Sequence, residues 1–330
     1  MNIKEFKSWF DEQFFPLLTN KAATFLSYSN NETVKKVVDY ISTVAQGGKR
    51  FRPYLAYVGY VTEGGEEEIF PLYAAIELLH LFCLVHDDVM DNEAVRHNAL
   101  TVHRHVEAEY GSPELGRSIA ILVGDLLLAW AFECIQEVEQ IEPYTIDDTI
   151  KHFHRMLAEV IHGQLLDVLS VVLFDYSRET IEKTILLKSA HYSFFHPLSI
   201  GMVTAGADES VQSFAEEYAT NLGMAFQLKD DIADCSKDIE RRQKTLISWY
   251  MEHEAPAIDR VLFEDYSGKE WSDEDEQKLM KLLRDSGALS FAEKQSEEYF
   301  LKAEDAIFNH DKTGEEIWQE IITEIKGSFH

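Results

Sequence analysis

Residues 80–97 read His80-Leu-Phe-Cys-Leu-Val-His86-Asp87-Asp88-Val-Met-Asp91-Asn-Glu-Ala-Val-Arg96-His97, and they close an apolar run that begins at Tyr73. On a helix, Asp87 and Asp91 project from one face, about one turn apart. Two like charges this close are unfavourable unless a cation lies between them. Magnesium suits such a site because it takes one or two carboxylates and completes its coordination with water and phosphate oxygens. For a single DDxxD cluster, a solvated acidic helix end is the alternative interpretation.

A second cluster of the same form ends another apolar run. Asp230, Asp231 and Asp234 follow Ala225-Phe-Gln227-Leu-Lys229. Two acidic clusters, each closing a long apolar helix, are hard to explain as solvated helix ends. Together they predict a magnesium site whose ligands are Asp87, Asp91, Asp230 and Asp234.

This pair of motifs resembles the trans-isoprenyl diphosphate synthases, the polyprenyl synthetase family, over about residues 40–310. The resemblance implies an all-α fold, a single helical bundle over residues 1–330 with the two clusters facing each other across a central cavity. It implies a magnesium-dependent condensation of isopentenyl diphosphate with an allylic prenyl diphosphate. The expected product is a longer trans-prenyl diphosphate, geranylgeranyl or farnesyl diphosphate. It also implies a homodimer, and three magnesium ions when substrate is bound.

The residues that would hold isopentenyl diphosphate follow the turn at Gly47-Gly48. Lys49-Arg50-Phe51-Arg52-Pro53 places three cations in four positions, and Pro53 is expected to open the next helix. In the family a GGKxxRP segment holds the homoallylic diphosphate, and Lys49 and Arg52 match it. His80 also matches a family position that contacts this diphosphate.

The allylic diphosphate has its own matching residues. Lys188-Ser189-Ala190 is similar to the family's KT(A) segment, with a serine that keeps the hydroxyl. Asp125 lies in a GDxLL-like segment, where the family uses the carboxylate to support the site from behind. A buried aspartate satisfied by neighbouring helices is an equally simple interpretation, and a supporting role is favoured over catalysis.

Two sets of candidate residues result. The residues expected to act in catalysis are Asp87, Asp88, Asp91, Arg96, Lys188, Asp230, Asp231 and Asp234. The residues expected to bind substrate are Lys49, Arg52, His80, Phe82, Arg96, His97, Lys188, Gln227 and Lys229. Phe82 is included because bulk about one turn before the first cluster limits the length of the product in the family.

Several positions depart from the family pattern. The usual RRGxP after the first cluster is here Arg96-His97-Asn98-Ala99-Leu100, so His97 replaces the second arginine. The segment from Lys237 to Lys244 is expected to be a short polar loop, and Gln243 stands where the family has a lysine. These changes are expected to weaken phosphate binding and to leave the metal ligands untouched.

Composition excludes several classes of partner. The formal net charge of -29 argues against nucleic acid and against anionic lipid, because both require a positive surface. The three cysteines form no CxxC pair, which is typical of a reducing compartment. The N-terminus has no signal-peptide pattern, and no uncharged apolar stretch reaches membrane-spanning length. We therefore expect a cytoplasmic protein with no integral membrane segment.

Three other functions remain open at this point. A terpene cyclase would be expected to carry a different second motif, and the aspartates at 230–234 favour chain elongation. A prenyltransferase that modifies peptides is compatible with the altered residues after Arg96. A non-catalytic partner subunit could dispense with the six aspartates that this chain retains.

Overall fold

The computed structural model describes residues 1–29, 31–66, 68–138, 143–172, 176–269, 271–309 and 314–327. About 81% of the chain is helical and sheet is almost absent, which confirms the all-α prediction. Contacts divide the chain into two compact units, Met1–Ile150 and Lys151–His330. The prediction of one domain over residues 1–330 stays a prediction.

The first unit is built from six helices, a short hairpin and the start of a seventh helix. These elements are α1 (Ile3–Leu26), α2 (Glu32–Ala45), α3 (Phe51–Thr62), α4 (Phe70–Met90), β1 (Val95–Arg96), β2 (Ala99–Leu100), α5 (Val102–Tyr110), α6 (Pro113–Gln136) and α7 (Pro143–Ser170). The boundary between the units falls inside α7.

The second unit continues from α7 and is also helical. Its elements are α8 (Arg178–Ile185), a π-helix (Leu186–Phe195), α9 (His196–Thr204), α10 (Glu209–Ala233), α11 (Cys235–Glu240), α12 (Leu246–His253), α13 (Ala257–Glu264), α14 (Asp273–Asp285), α15 (Ala288–Asn309) and α16 (Glu315–Gly327).

An aromatic core anchors α1. Asn2 caps the helix and Glu5 completes a capping box, so the first backbone N–H groups are satisfied. Phe6, Phe10 and Phe14 are fully buried, as their spacing predicts. Leu18 is the fourth buried apolar position, because the helix continues at 3.6 residues per turn.

Two helices of the first unit are long and apolar enough to cross a membrane by length and composition. They are α4 and α6, with windows that are 61% and 44% buried within the structure. Both helices carry charged residues, among them Glu77 and Asp87 in α4 and Asp125 and Glu133 in α6, which agrees with the expectation that no uncharged apolar stretch reaches this length. Glu77 is buried, and its Oε1 lies 2.6 Å from Nη1 of Arg50. A buried, ion-paired helix of this kind is also found in the core of a water-soluble protein.

The winding of the helix changes just before Pro197. The ten residues before α9 form a π-helix, and Pro197 occupies the first turn of α9 itself. π-Helical segments are frequent at functional sites. This segment contains Lys188 and Ser189.

Two local predictions were wrong. Pro53 is the third residue of α3, because the helix begins at Phe51 after Arg50. The segment from Lys237 onward is not a loop throughout. Helix α11 runs to Glu240, with Cys235 and Ile239 buried against the helices around them.

Candidate active site

The first aspartate cluster lies at the C-terminal end of α4. Asp87 is in the last turn and Asp91 caps it, with the Asp91 N–H donating to the Asp87 carbonyl. Both side chains are partly exposed, whereas Asp88 is buried. Burial raises the pKa of Asp88 to about 6, although the adjacent guanidinium of Arg96 opposes this shift. Asp87 and Asp91 are therefore the residues of this cluster that can reach an ion.

Arg96 is held against the aspartates by a hairpin. Strands β1 and β2 pair antiparallel, with Arg96 opposite Ala99. The two residues between them, His97 and Asn98, have φ of 50° and 64°, as a type I′ turn requires. Arg96 Nε lies 2.6 Å from Asp88 Oδ1, and Nη2 lies 3.6 Å from Asp87 Oδ2. Arg96 is a partner of the acidic cluster, and its predicted contact with substrate stays a prediction.

The turn of the hairpin brings His97 to the loop before α3. A Cβ added to Gly47 would lie 2.0 Å from Nδ1 of His97, so the imidazole covers the backbone of this glycine. His97 therefore joins the segment that contains Lys49 and Arg52. Burial, then Arg96 and Arg50, lower the pKa of His97 below its usual value.

Arg50 is not available for phosphate. It has a left-handed backbone with φ of 55°, and its buried guanidinium bonds Asp11, Glu77 and the carbonyl of Ala45. Of the three cations in this segment, Arg50 fixes the loop and is neutralised by two carboxylates. Lys49 is exposed and Arg52 is half-buried, so these two can meet an anion.

His80 lies beside Arg52, with Nε2 3.0 Å from Nη1 of the guanidinium. Because arginine can only donate, Nε2 of His80 accepts this hydrogen bond. Burial, then Arg52 and Arg96, lower the pKa of His80 well below its usual value. His80 is therefore neutral near pH 7 and orients Arg52.

Asp125 is not the buried aspartate that one of the two interpretations predicted, and its supporting role stays a prediction. Its side chain is 61% exposed and its Oδ1 lies 3.8 Å from Nε2 of His86. His86 also lies 3.0 Å from the Ile121 carbonyl, which ties α4 to α6 next to Asp87.

The second aspartate cluster ends α10 in the same way. Asp230 and Asp234 are partly or fully exposed, whereas Asp231 is buried. Gln227 donates to Asp231 at 2.7 Å and accepts from Ser189 at 2.6 Å. Burial raises the pKa of Asp231 well above its usual value. Gln227 thus positions a carboxylate of the cluster and connects it to the π-helix.

Asp238 is a member of this cluster that the sequence analysis missed. It follows Asp234 by one turn, and burial, then the charges of Asp234, Asp230 and Asp167, raise its pKa to about 7. The signal in the sequence was the continued four-residue spacing of aspartates at 230, 234 and 238. It was missed because the segment from Lys237 to Lys244 was expected to be a loop.

Lys188 is oriented by Asp167. Lys188 Nζ lies 2.5 Å from Oδ2 of Asp167, and Nε2 of Gln243 donates to the same oxygen at 3.3 Å. The approach of the two helices depends on Gly163, since a Cβ there would lie 2.5 Å from the backbone nitrogen of Lys188. Gln243, which stands where the family has a lysine, therefore still belongs to this site.

The donor sets of both clusters fit magnesium. Each places carboxylates about one helical turn apart, and burial, with neighbouring carboxylates as a further cause, raises the pKa of Asp88, Asp231 and Asp238. Magnesium prefers oxygen ligands and keeps positions for phosphate oxygens. Asp87 and Asp91 in one cluster, and Asp230 and Asp234 in the other, are the accessible ligands.

Two substrate-binding candidates remain. Phe82 is buried, about one turn before Asp87, with its ring 4.7 Å from that of His86. Lys229 is half-buried and precedes Asp230 on α10. Both roles stay predictions.

Known proteins are similar to this chain in sequence and in fold. The polyprenyl synthetase family model matches residues 31–255. A short chain isoprenyl diphosphate synthase of Methanocaldococcus jannaschii is 31% identical over 258 residues, covering 73% of this chain and 73% of the relative. A geranylgeranyl diphosphate synthase of Sulfolobus acidocaldarius is 32% identical over 243 residues, covering 73% and 71%.

The fold agrees with a crystal structure of geranylgeranyl pyrophosphate synthase from Corynebacterium glutamicum complexed with isoprenyl diphosphate and magnesium. The TM-score is 0.87 and the identity 25%, over 96% of this chain and 98% of that one. The resemblance inferred from the aspartate motifs is thereby confirmed, and the chain belongs to the polyprenyl synthetase family of prenyl diphosphate synthases.

Proposed function

We propose that this enzyme joins isopentenyl diphosphate to an allylic prenyl diphosphate and releases geranylgeranyl diphosphate, with farnesyl diphosphate as the second candidate. The observation that carries the proposal is the pair of acidic clusters, each beside a cation that a neighbouring side chain orients. Chain elongation is also what the names of the relatives describe, in preference to cyclisation, peptide modification or a non-catalytic role.

The allylic diphosphate must be stabilised as it leaves, because its negative charge grows when the carbon–oxygen bond breaks. Lys188 is placed for this by Asp167 and Gln243. Ammonium and guanidinium donors preorganised around a developing anion lower the barrier. We assign the same role to Lys229, and to Arg96 once a cation has taken over the charge of Asp87 and Asp88.

Bound magnesium would supply Lewis-acid stabilisation of the leaving diphosphate. Asp87, Asp91, Asp230 and Asp234 would hold the ions, three of them when substrate is bound. Asp88 and Asp231 are positioning residues in this proposal, because both are buried and fixed by Arg96 and Gln227.

Isopentenyl diphosphate would bind at the loop before α3. Lys49 and Arg52 provide charge, His80 orients Arg52, and His97 adds an imidazole to the same loop. The double bond of the bound substrate attacks the allylic cation, a carbon–carbon bond forms, and loss of one proton restores a neutral chain. The released diphosphate is a candidate acceptor for that proton.

We also propose that the protein works in the cytoplasm as a homodimer. The negative charge of the chain and its three separated, unpaired cysteines support the compartment. Exposed leucine and isoleucine side chains on α6 support self-association.

The central test removes one accessible carboxylate from each cluster. Asp87→Ala and Asp230→Ala should each lower kcat by about two orders of magnitude or more, because removal of a preorganised electrostatic partner has effects of this size. Turnover is measured with labelled isopentenyl diphosphate, magnesium and each allylic donor in turn. Asp305→Ala, an exposed aspartate on α15, is the matched control and should keep full activity. Unchanged turnover in either cluster variant, with intact circular dichroism, contradicts the metal assignment.

A further inference from the structure

A second group of potential metal ligands lies in the Lys151–His330 unit. Glu159 is on α7, His191 is in the π-helix, and His196 is the first residue of α9. Oε2 of Glu159 is 2.6 Å from Nδ1 of His191 and 2.9 Å from Nε2 of His196. One ligand atom from each residue lies within 4.8 Å of the other two. None of the three has a role in the proposed reaction.

The group is buried, and each imidazole would bind a metal by moving the proton that it now shares with Oε2 to its other ring nitrogen. Both histidines are buried, and Nδ1 of His196 has no hydrogen-bond partner within the described part of the chain. Burial alone would raise the pKa of Glu159, but hydrogen bonds from His196, His191 and Arg155 outweigh it and lower the pKa. Burial lowers the pKa of His196. An ionised carboxylate and a neutral imidazole are the forms that bind metal.

We propose that Glu159, His191 and His196 bind one divalent transition-metal ion, Zn²⁺ or an ion of similar chemistry, at a site distinct from the magnesium-binding aspartates. Two imidazoles and one carboxylate are a ligand set that zinc uses in proteins. Imidazole nitrogen favours zinc, copper, iron and nickel, whereas magnesium favours oxygen. The two kinds of site therefore select different ions.

Metal binding would require the three side chains to rearrange locally. Zinc lies about 2.0–2.2 Å from nitrogen and oxygen ligands, so its ligands are separated by about 3–3.5 Å. The two nitrogens now approach Oε2 more closely than this, so the carboxylate would move away from both imidazoles. Arg155 Nε lies 2.7 Å from the other oxygen, Oε1, and would hold the carboxylate with Oε2 toward the ion. Water would complete the coordination.

Such an ion would join the elements that position Lys188. Glu159 lies two turns before Asp167 on α7, and His191 follows Lys188 by three residues in the π-helix. Between these two contacts, Gly163 packs on the backbone of Lys188. A metal bound to Glu159 and His191 would fix the register of α7 against the π-helix. It would thereby also fix the Lys188–Asp167 pair. The expected role is structural.

The test measures metal binding directly. Purified enzyme is stripped with a chelator and titrated with Co²⁺ in excess magnesium, which occupies the aspartate sites. The visible absorption of four-coordinate Co²⁺, with its nitrogen ligands, reports the proposed site. Glu159→Gln and His191→Gln keep a hydrogen-bonding side chain of similar size, and His162→Gln, an exposed histidine on α7, is the control.

We expect the wild type and the control to bind one equivalent of Co²⁺, which Zn²⁺ displaces, and to melt at a higher temperature with metal than without. Each of the two ligand variants should bind at least about 100-fold more weakly, since changes that only surround a ligand already cost 10–100-fold. The melting temperature of these variants should not respond to the metal. Equal binding by ligand variants and control, or none by the wild type, would show that the three residues are a hydrogen-bonded polar cluster and overturn the proposal.

Discussion

At the scale of single residues, each aspartate cluster contains carboxyls whose negative charge is unfavourable in the fold. Three carboxyls, those of Asp88, Asp231 and Asp238, have a raised pKa, and burial is the first cause in each. A group that ionises less readily in the folded state than in the unfolded state makes folding less favourable once the pH permits ionisation. The acidic clusters therefore lower the stability of the metal-free protein.

Asp88→Asn should stabilise the metal-free protein at pH 8 while it lowers activity. The pKa of Asp88 rises from an ordinary 3.8 to about 6 in the fold. Folding thus favours the protonated carboxyl. The stability that the protonated form contributes is lost as the pH rises through about 6. Asparagine resembles the protonated form at every pH, so we expect a gain of roughly 1–3 kcal/mol above pH 6.

Urea unfolding of both proteins in a chelator, at pH 5 and pH 8, measures this difference. The gain should be larger at pH 8 and should shrink when magnesium is added. Asp305→Asn, at an exposed position, should leave the midpoint unchanged. A variant less stable than the wild type at pH 8 would mean that the bond to Arg96 outweighs the burial of the charge.

His97 should make the binding of isopentenyl diphosphate depend on pH. Burial, then Arg96 and Arg50, lower the pKa of His97 in the free enzyme, and a bound diphosphate would raise it. The substrate should bind best below the free-enzyme pKa and progressively worse as the pH rises through the pKa of the complex. His97→Arg stays charged, so this variant should have the lower KM at pH 8–9 and a flatter profile.

The KM for isopentenyl diphosphate, measured from pH 6 to 9 in both proteins, separates titration of His97 from other causes of pH-dependent binding. The pKa of His80 is lowered well below the usual value in the free enzyme, so the comparison with His97→Arg is what separates the two histidines. Superimposable KM profiles for wild type and His97→Arg would assign the pH dependence to His80 or to the substrate and remove His97 from the site.

At the scale of helices and strands, the sequence predicts what depends on local periodicity. The long apolar helices and their acidic ends follow from spacing alone. The hairpin at 95–100 and the π-helix do not, because each forms only against neighbouring helices. The pairing of Lys188 with Asp167 joins residues 21 positions apart, and Gln243 reaches the same oxygen from 76 positions away. Contacts over such separations cannot be read from helical periodicity.

Helix α4 should also set the length of the product. Phe82 is buried about one turn before Asp87, and Cys83 beside it is partly buried. A large side chain at this position would limit the length of the growing prenyl chain, because a close-packed apolar wall leaves no space for additional carbon atoms. Phe82→Ala should therefore shift the product by at least one isoprene unit toward longer chains.

The product distribution of Phe82→Ala is read by chromatography of the dephosphorylated alcohols. Phe132→Ala, a change of the same kind on α6, serves as the comparison for a general loss of packing. An identical distribution for wild type and Phe82→Ala would place the end of the channel at other residues.

At the scale of the whole molecule, the unusual feature is an apolar helix that its own chain covers only in part. The most apolar window of α6 is 44% buried, although its composition would allow a membrane span. Leu115, Ile121 and Leu122 are exposed on it, and Leu122 retains 61% of its accessible surface. An exposed apolar face on a folded protein usually marks an interface.

We expect this face of α6 to be the contact between two copies of the chain. Leu122→Glu places a charge where a twofold contact would bury it twice, which should move the protein from dimer to monomer at micromolar concentration. Val261→Glu, at a 64% exposed position on α13, is the matched control and should stay dimeric. Sedimentation velocity of the three proteins measures the mass in solution. If Leu122→Glu remains a dimer, the interface lies elsewhere, and a wild-type monomer would show that the exposed face of α6 serves another purpose.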